Sequence, residues 1–201
     1  MVAIADLRPE PAKPLALDAT DNIILIGKPG SGKTRVVMER AFEHLRLGKP
    51  VVILDALPTY HDWCKELGGR YTWFFEGEQC ASVRYGGRPL FVHEFDIEDN
   101  RAWCEPLVYA DGREKEGALL VVDEARWVIE LCVPAATLVS RHARNRSPFL
   151  LVGQSVKDFE PLRHTHLAGV FTDVKTVLVK RGEAPEVVAR ELLPKWLAET
   201  T

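Results

Sequence analysis

The chain has 201 residues, of which 46% are hydrophobic and 27% are charged, and its formal net charge is -3. This length suits one domain with a sizeable core and is too short for two large ones. The near-neutral charge excludes a global basic field, so any contact with nucleic acid needs a local patch. No apolar run approaches the roughly twenty residues of a transmembrane helix, and no signal-peptide pattern opens the chain. The cysteines show no C-x-x-C pair, which favours reduced thiols over a zinc or redox site.

The first 20 residues contain three prolines and are expected to form an extended arm, with one domain over residues 21–201. That domain opens with Ile23–Ile26, four apolar residues that predict a buried strand. Gly27–Thr34 then matches G-x-x-x-x-G-K-[ST], the P-loop or Walker A pattern. Residues 35–45 predict a helix that ends near Gly48. A strand, a glycine loop and a helix in this order are the context that the motif requires.

The chemistry of phosphate binding explains the P-loop spacing. Glycines let the backbone turn tightly, so that the N–H groups of the loop and of the helix start face a polyanion. Lys33 supplies a positive charge to the β- and γ-phosphates, and the Thr34 hydroxyl is placed to ligate Mg²⁺. ATP and Mg²⁺ are therefore the expected cofactors. The expected nucleotide-binding residues are Gly27, Lys28, Pro29, Gly30, Ser31, Gly32, Lys33, Thr34 and Arg35.

A second buried strand, Val51–Leu54, closes with Asp55 and completes a βαβ unit. The patterns that follow are weaker. They predict a short helix at Tyr60–Leu67, strands at Tyr71–Phe75 and Leu90–Phe95, a helix at about Glu98–Tyr109 and a charged surface loop over residues 111–117.

The run Ala118–Val122 is an apolar strand that ends in Asp123 and Glu124, a Walker B signature. Asp123 would hold the Mg²⁺ water shell, and Glu124 would orient and deprotonate the attacking water. The alternative is a strand followed by an acidic helix N-cap, which the helix dipole also favours.

A helical region over Ala125–Arg144 is interrupted at Pro134 and leads to a strand at Phe149–Val152. Gln154, just beyond that strand, suits a γ-phosphate sensor that also contacts the water, or else it is an ordinary turn residue. Late strands are expected at Val170–Thr172 and Val177–Lys180, followed by a last helix at Pro185–Leu193.

These motifs together resemble the FtsK/HerA-type ATPases. The residues that carry the resemblance are Gly27–Thr34, Val121–Glu124, the Arg141-His142 pair and Leu151–Ser155, and it covers roughly residues 22–180. It is closest to the small genome-packaging ATPases of internal-membrane viruses, and the Zot-like filamentous-phage assembly proteins are also similar. The absence of a transmembrane segment favours the packaging group.

The resemblance implies an α/β, RecA-like P-loop NTPase fold, with a mostly parallel central sheet flanked by helices in a single domain. It also implies a ring of identical subunits, usually a hexamer, that moves double-stranded DNA through its pore. Capsid or internal-membrane proteins at a packaging vertex are implied partners, and the host cytoplasm or the virion is the implied location.

Two groups of cations are candidates for further roles. Arg141, Arg144 and Arg146 are expected on a loop near the nucleotide face, where one of them, Arg141 first, reaches the γ-phosphate of the neighbouring subunit; the alternative is cations at a helix C-terminus. The candidates for DNA contact, with a solvated surface as the alternative, are Arg84, Arg88, Arg113 and Lys115.

Other classes fit the pattern less well. A GTPase should show N-K-x-D, which is missing, and a Rossmann enzyme needs a third glycine where Arg35 stands. A small-molecule or nucleotide kinase, and a scaffold that binds ATP for assembly, stay open as alternatives.

Overall fold

The computed structural model describes residues 18–74, 80–94, 113–131, 133–159 and 174–188. The strands are β1 (Asn22–Ile26), β2 (Val51–Asp55), β3 (Arg70–Phe74), β4 (Cys80–Arg84), β5 (Leu90–Glu94), β6 (Leu119–Val122), β7 (Phe149–Gly153), β8 (Val174–Leu178) and β9 (Glu186–Val188). The helices are α1 (Lys33–Arg46), α2 (His61–Leu67), α3 (Ala125–Leu131) and α4 (Val133–Arg144), and a 3-10 turn covers Arg113–Glu116.

One sheet contains all nine strands of the described residues, in the order β4-β3-β5-β2-β6-β7-β1-β8-β9. Neighbouring strands pair in parallel throughout the central part of the sheet, which consists of β3, β5, β2, β6, β7, β1 and β8. β4 and β9 pair antiparallel at the two edges. The expected mostly parallel α/β sheet is therefore confirmed.

Helices cover both faces of the sheet, which explains why the central strands are apolar on both sides. Every residue of β2, β6 and β7 is buried. One face packs against α3 and α4 through residues such as Val128 and Leu138. The other packs against α1 and α2 through residues such as Val37 and Cys64. The result is a three-layer α/β/α arrangement.

Parallel strands give the sheet two chemically different edges. We call the side where the parallel strands end the carboxyl edge, and the side where they begin the amino edge. β1, β2, β6 and β7 all end at the carboxyl edge, and ligands bind there in open parallel sheets. The P-loop leaves β1 at this edge.

Helix boundaries follow local chemistry. Helix α1 is followed by Gly48, whose φ of 73° is the left-handed conformation that glycine adopts without strain. Pro134 is the second residue of α4, a position in the first turn where its missing N–H costs nothing. The helical region consists of two helices, α3 ending at Leu131 and α4 beginning at Val133, and Pro134 lies inside the second rather than at an interruption.

Some sequence-based boundaries were wrong. Residues 186–188, expected within a helix, form strand β9, because the valines at 187 and 188 pair antiparallel with β8. The strand expected at Val177–Lys180 is instead Val174–Leu178, paired with β1. β4 was not anticipated, and it places Arg84 on a strand rather than in a loop. The charged loop contains the 3-10 turn.

Several expectations lie outside the described residues. They are the arm as far as residue 17, the helix at Glu98–Tyr109, the strand at Val170–Thr172 and the last helix beyond residue 188. Among the helices that are described, none is long and apolar enough to cross a membrane.

Candidate active site

The glycine loop after β1 has the backbone that its motif requires. Gly30 and Gly32 have φ values of 72° and 103°, which side chains other than glycine seldom tolerate. Gly27 has no room for a side chain, because a Cβ there would lie 2.6 Å from the Val179 carbonyl oxygen. The loop therefore packs against the end of β8 as well as preceding α1.

The polar side chains of this loop point toward its own centre. Lys33 Nζ donates to the Gly27 carbonyl oxygen at 2.7 Å and to the Lys28 carbonyl oxygen at 3.4 Å. The Ser31 hydroxyl is buried and has no hydrogen-bond partner among the described residues. A cationic amine and an unsatisfied hydroxyl beside a curled backbone suit a phosphate group.

Strand order decides which residues face the P-loop. β7 lies between β1 and β6, and the Gly27 N–H donates to the Gly153 carbonyl oxygen at 3.2 Å. Gln154 therefore follows the strand next to the P-loop, and Asp123 follows the strand beyond it. The three strand ends that the sequence singled out are neighbours.

Asp123 is buried, with 8% of its surface exposed. Its Oδ1 accepts a hydrogen bond from the Glu124 N–H at 2.9 Å, and its Oδ2 accepts one from the Tyr60 hydroxyl at 2.7 Å. Since a carboxylate has about four acceptor positions, both oxygens retain capacity for a metal-bound water.

Glu124 and Gln154 are in direct contact. Gln154 Nε2 donates to Glu124 Oε1 at 3.2 Å and to Oε2 at 3.4 Å. Glu124 has a φ of 48°, an uncommon conformation for a residue with a side chain. Strain of this kind tends to persist at functional sites. The contact unites the two residues that sequence reasoning assigned to the attacking water.

Gln154 is positioned by the turn that follows it. Asp158 Oδ2 accepts from the Gln154 N–H at 2.6 Å and from the Ser155 N–H at 2.8 Å. Gly153 is packed against Phe159, whose ring atoms would lie 2.8 and 2.9 Å from a Cβ at that position. The side chain of Gln154 therefore projects from a braced turn.

Two residues of this edge were not identified as functional from the sequence. Tyr60 is fully buried, and its hydroxyl donates to Asp123 Oδ2. Asp55, at the end of β2, accepts from the backbone N–H groups of Leu57, Thr59 and Tyr60 at 3.2, 2.9 and 3.2 Å. The sequence feature that could have identified Asp55 as a site residue is its position at the carboxyl end of a buried strand.

Burial explains the ionisation of these groups. Desolvation, with the nearby Asp123 charge acting in the same direction, raises the pKa of Asp55 to about 7, although the N–H donors oppose the rise. Desolvation and Asp123 also raise the pKa of the Tyr60 phenol well above its ordinary value. Tyr60 is therefore a neutral hydrogen-bond donor at physiological pH.

The arginines near the end of α4 lie elsewhere. Because only four residues separate Arg144 from the start of β7, Arg144 and Arg146 lie at the amino edge, and Arg141 is in the last turn of α4. β7 runs parallel to β1, so this edge is about 13 Å from the P-loop side of the sheet. Their expected position on a loop near the nucleotide face is wrong, because α4 returns the chain to the opposite edge.

The candidate DNA-contacting cations also lie at the amino edge. Arg84 ends β4 opposite the first residue of β3, Arg70. Arg88 precedes β5, and residues 113–116 precede β6. Arg113 lies 3.8 Å over the Phe91 ring and pairs with Glu116 at 3.6 Å, while Lys115 is exposed. The structure thus brings the four candidates to one edge.

The residues present fit a nucleoside triphosphate and Mg²⁺. The P-loop supplies its N–H groups, Lys33 and the buried Ser31 hydroxyl, and Thr34 and Asp123 supply the oxygen donors that Mg²⁺ prefers. Asp123 is held in place by the Tyr60 hydroxyl and the Glu124 N–H.

The parallel sheet, the P-loop between β1 and α1, and the acidic end of β6 define the P-loop NTPase fold. No protein-family model matches this chain, and no curated protein matches its sequence. Solved structures do match. VirB4 of Thermoanaerobacter pseudethanolicus is similar with a TM-score of 0.60 and 12% identity, over 83% of this chain and 81% of that chain.

A second similar structure is the genome packaging NTPase B204 from Sulfolobus turreted icosahedral virus 2, solved in complex with AMP. It has a TM-score of 0.45 and 14% identity, over 81% of this chain and 76% of that one. At such low identity the likeness to VirB4 demonstrates a shared fold, the one expected from the sequence.

Proposed function

We propose that this chain is an ATPase of the FtsK/HerA type that couples hydrolysis to the movement of double-stranded DNA, as a viral genome-packaging motor. The observation that carries the proposal is the contact between Gln154 Nε2 and Glu124 Oε1 at 3.2 Å. A P-loop alone supports nucleotide binding. A carboxylate and an amide in contact beside it are the groups that water attack on a phosphate needs.

Each residue then has a defined task. Lys33 and the loop N–H groups bind the phosphates, and Glu124 accepts a proton from the attacking water. Gln154 orients that water and contacts the γ-phosphate. Thr34 and Asp123 hold Mg²⁺, which when bound neutralises phosphate charge.

The proposed DNA contact is the amino edge. Arg70 and Arg84 are register partners on the antiparallel pair β3–β4, so two arginines lie at this end of the sheet. Arg88, Arg113 and Lys115 reach the same edge, so a chain with a net charge of -3 still offers a local basic patch.

The proposed working assembly is a ring, with six subunits as the expected number. Arg141, Arg144 and Arg146 lie across the sheet from their own P-loop, so any of them that contacts a γ-phosphate does so in a neighbouring copy. Capsid or internal-membrane proteins are the proposed docking partners, in the host cytoplasm or at the virion.

Two other functions are compatible with a P-loop. A nucleotide or small-molecule kinase would use an acceptor in place of water, and a Zot-like assembly protein would bind ATP without translocating DNA. The Glu124–Gln154 contact favours water attack over both, since an amide beside a carboxylate can orient the water that the carboxylate deprotonates. A kinase instead positions an acceptor hydroxyl, and a passive scaffold needs no general base.

Measurements of ATP turnover with and without double-stranded DNA separate these functions. For a motor we expect turnover that rises with DNA, loss of nucleotide binding in Lys33→Ala, and retained binding with hydrolysis slowed by about 10²–10⁴ in Glu124→Gln. Stimulation by a kinase acceptor but not by DNA would contradict the proposal. Normal turnover in folded Lys33→Ala would remove the P-loop assignment.

Fluorescence anisotropy with a DNA duplex tests the amino edge. Replacing both Arg84 and Arg88 with Glu should weaken DNA binding. It should also reduce the steepness of log K against the logarithm of the salt concentration, by about 0.9 for each phosphate that the variant no longer neutralises. The matched control reverses Lys157 and Lys180, which are exposed and follow β7 and β8 at the carboxyl edge. Equal effects of the two double variants would exclude this edge as the DNA site.

A further inference from the structure

Tyr60 contacts a candidate magnesium ligand. Its hydroxyl donates to Asp123 Oδ2 at 2.7 Å. Tyr60 directly precedes α2 and Asp123 follows β6, so this hydrogen bond joins two elements that are far apart in the chain. Asp123 Oδ1 accepts from the Glu124 N–H at 2.9 Å, so each carboxylate oxygen is held by a donor.

The rest of the molecule holds Tyr60 in one place. The side chain is fully buried and packs with apolar residues from α1, α2 and the central strands. Asp55 fixes the backbone before it by accepting three N–H groups, one of them that of Tyr60. A buried phenol with a locked backbone has little freedom to choose another partner.

We propose that Tyr60 is a positioning residue for the magnesium site, whose hydroxyl holds the Asp123 carboxylate in the arrangement that Mg²⁺ needs. This inference rests on the proposed function, since it assumes that Asp123 holds the ion or its water shell. In this role Tyr60 acts through Asp123. Hydrogen bonds behind metal ligands commonly change metal affinity by about 10–100-fold.

The simpler explanation is that the Tyr60 hydroxyl needs a hydrogen-bond acceptor because it is buried, and that it has no role at the magnesium site. The two explanations differ in what they predict for magnesium. A structural hydroxyl affects stability alone, whereas a positioning hydroxyl affects the gain in nucleotide affinity that Mg²⁺ provides. Stability and magnesium dependence must therefore be measured separately.

The test is ADP binding by the full chain, in excess Mg²⁺ and in EDTA, for the wild type and for Tyr60→Phe. We expect Tyr60→Phe to reduce the affinity gain caused by Mg²⁺ by about tenfold or more, with affinity in EDTA unchanged. Electron paramagnetic resonance of Mn²⁺ with ADP should show weaker ion binding in the same variant. Neither readout depends on hydrolysis.

Tyr71→Phe is the matched control. Tyr71 is also buried, packs in the same cluster and donates its hydroxyl to a different carboxylate, that of Glu94. We expect Tyr71→Phe to keep the full magnesium gain, although it removes a buried hydrogen bond of the same kind.

An undiminished magnesium gain in Tyr60→Phe would overturn the inference and leave the proposed function in place. A wild-type protein that shows no magnesium-dependent nucleotide binding would instead refute the proposed function. If Tyr60→Phe does not fold, Asp55→Asn serves as the second variant. It loosens the backbone before Tyr60, and it should reduce the magnesium gain in the same direction.

Discussion

Single residues at the carboxyl edge show how burial changes the chemistry of a carboxyl group. Asp55 is 1% exposed and Asp123 is 8% exposed, yet they have different partners. Asp55 is surrounded by backbone N–H groups, while Asp123 has one backbone and one phenol donor. Placing two carboxyl groups close together in a low-dielectric region favours protonation of one of them.

Asp55 should therefore make stability depend on pH. Its pKa is about 7 in the folded protein and about 3.9 in an unfolded chain. Between pH 4 and 7 the folded protein retains a proton that the unfolded chain releases. The contribution of Asp55 to stability therefore decreases as pH rises through this window, by on the order of 1 kcal/mol per pH unit.

Urea unfolding of the wild type and of Asp55→Asn at pH 5 and pH 8 measures this dependence. Because the asparagine cannot ionise, the variant should gain stability relative to the wild type at the higher pH. The pKa values of the buried histidines His44 and His93 are lowered, so these residues make stability rise with pH in both proteins. Their contribution therefore cancels when the stability of the variant is compared with that of the wild type. A difference that stays constant with pH would contradict the expectation.

At the scale of elements, the contact of the P-loop with β8 is tight. A Cβ at Gly27 would lie 2.5 Å from Ser31 Oγ and 2.6 Å from the Val179 carbonyl oxygen. The serine side chain can rotate, but the backbone carbonyl cannot move without shifting β8. The Val179 N–H also donates to the Ile26 carbonyl oxygen at 2.8 Å, which fixes the two segments together.

We expect Gly27→Ala to destabilise the fold by about 1–3 kcal/mol, the usual cost of overpacking. Gly87→Ala is the control, since a Cβ there meets nothing within 4 Å, and it should change stability by less than about 0.5 kcal/mol. Thermal or urea unfolding of the two variants gives the comparison. If the two variants were equally stable, the backbone at the end of β8 would have to shift at little energetic cost to make room for the added methyl group.

At the scale of the whole molecule, the arginines near the end of α4 lie at the opposite edge of the sheet from their own P-loop. Since Arg141 is near the amino edge and the P-loop is at the carboxyl edge, Arg141 could serve as an arginine finger only for the nucleotide of a neighbouring subunit. The alternative role, a cation near a helix C-terminus, agrees with the position of Arg141 in the last turn of α4. The two roles predict different behaviour in mixed assemblies.

Mixing Arg141→Ala with Glu124→Gln distinguishes them. Under the finger hypothesis each variant is inactive alone, with a loss of about 10³–10⁵ for the arginine. The mixture regains turnover, because some interfaces contain both intact groups. Arg46→Ala, which removes an exposed cation at the end of α1, should remain active alone. Near-normal hydrolysis by Arg141→Ala alone would leave only the helix-terminus role.

Local sequence was sufficient for the features that depend on a few adjacent residues. Gly27–Thr34 identified the P-loop because backbone freedom and phosphate chemistry both require glycines at set spacings. The all-apolar runs at β2, β6 and β7 identified central parallel strands, since only strands covered on both faces are apolar throughout. Asp123 and Gln154 were identified in the same way, as polar residues that directly follow such strands.

Tertiary structure decided everything that depends on which elements become neighbours. Insertion of β7 between β1 and β6 brought Gln154 to Glu124, and the return of α4 across the sheet carried Arg141, Arg144 and Arg146 to the opposite edge. Valine pairing with β8 turned residues 186–188 from an expected helix into a strand. The hydrogen bond from Tyr60 to Asp123 joins residues 63 positions apart. Hydrophobic periodicity does not predict this bond, because a long-range hydrogen bond leaves no local pattern in the chain.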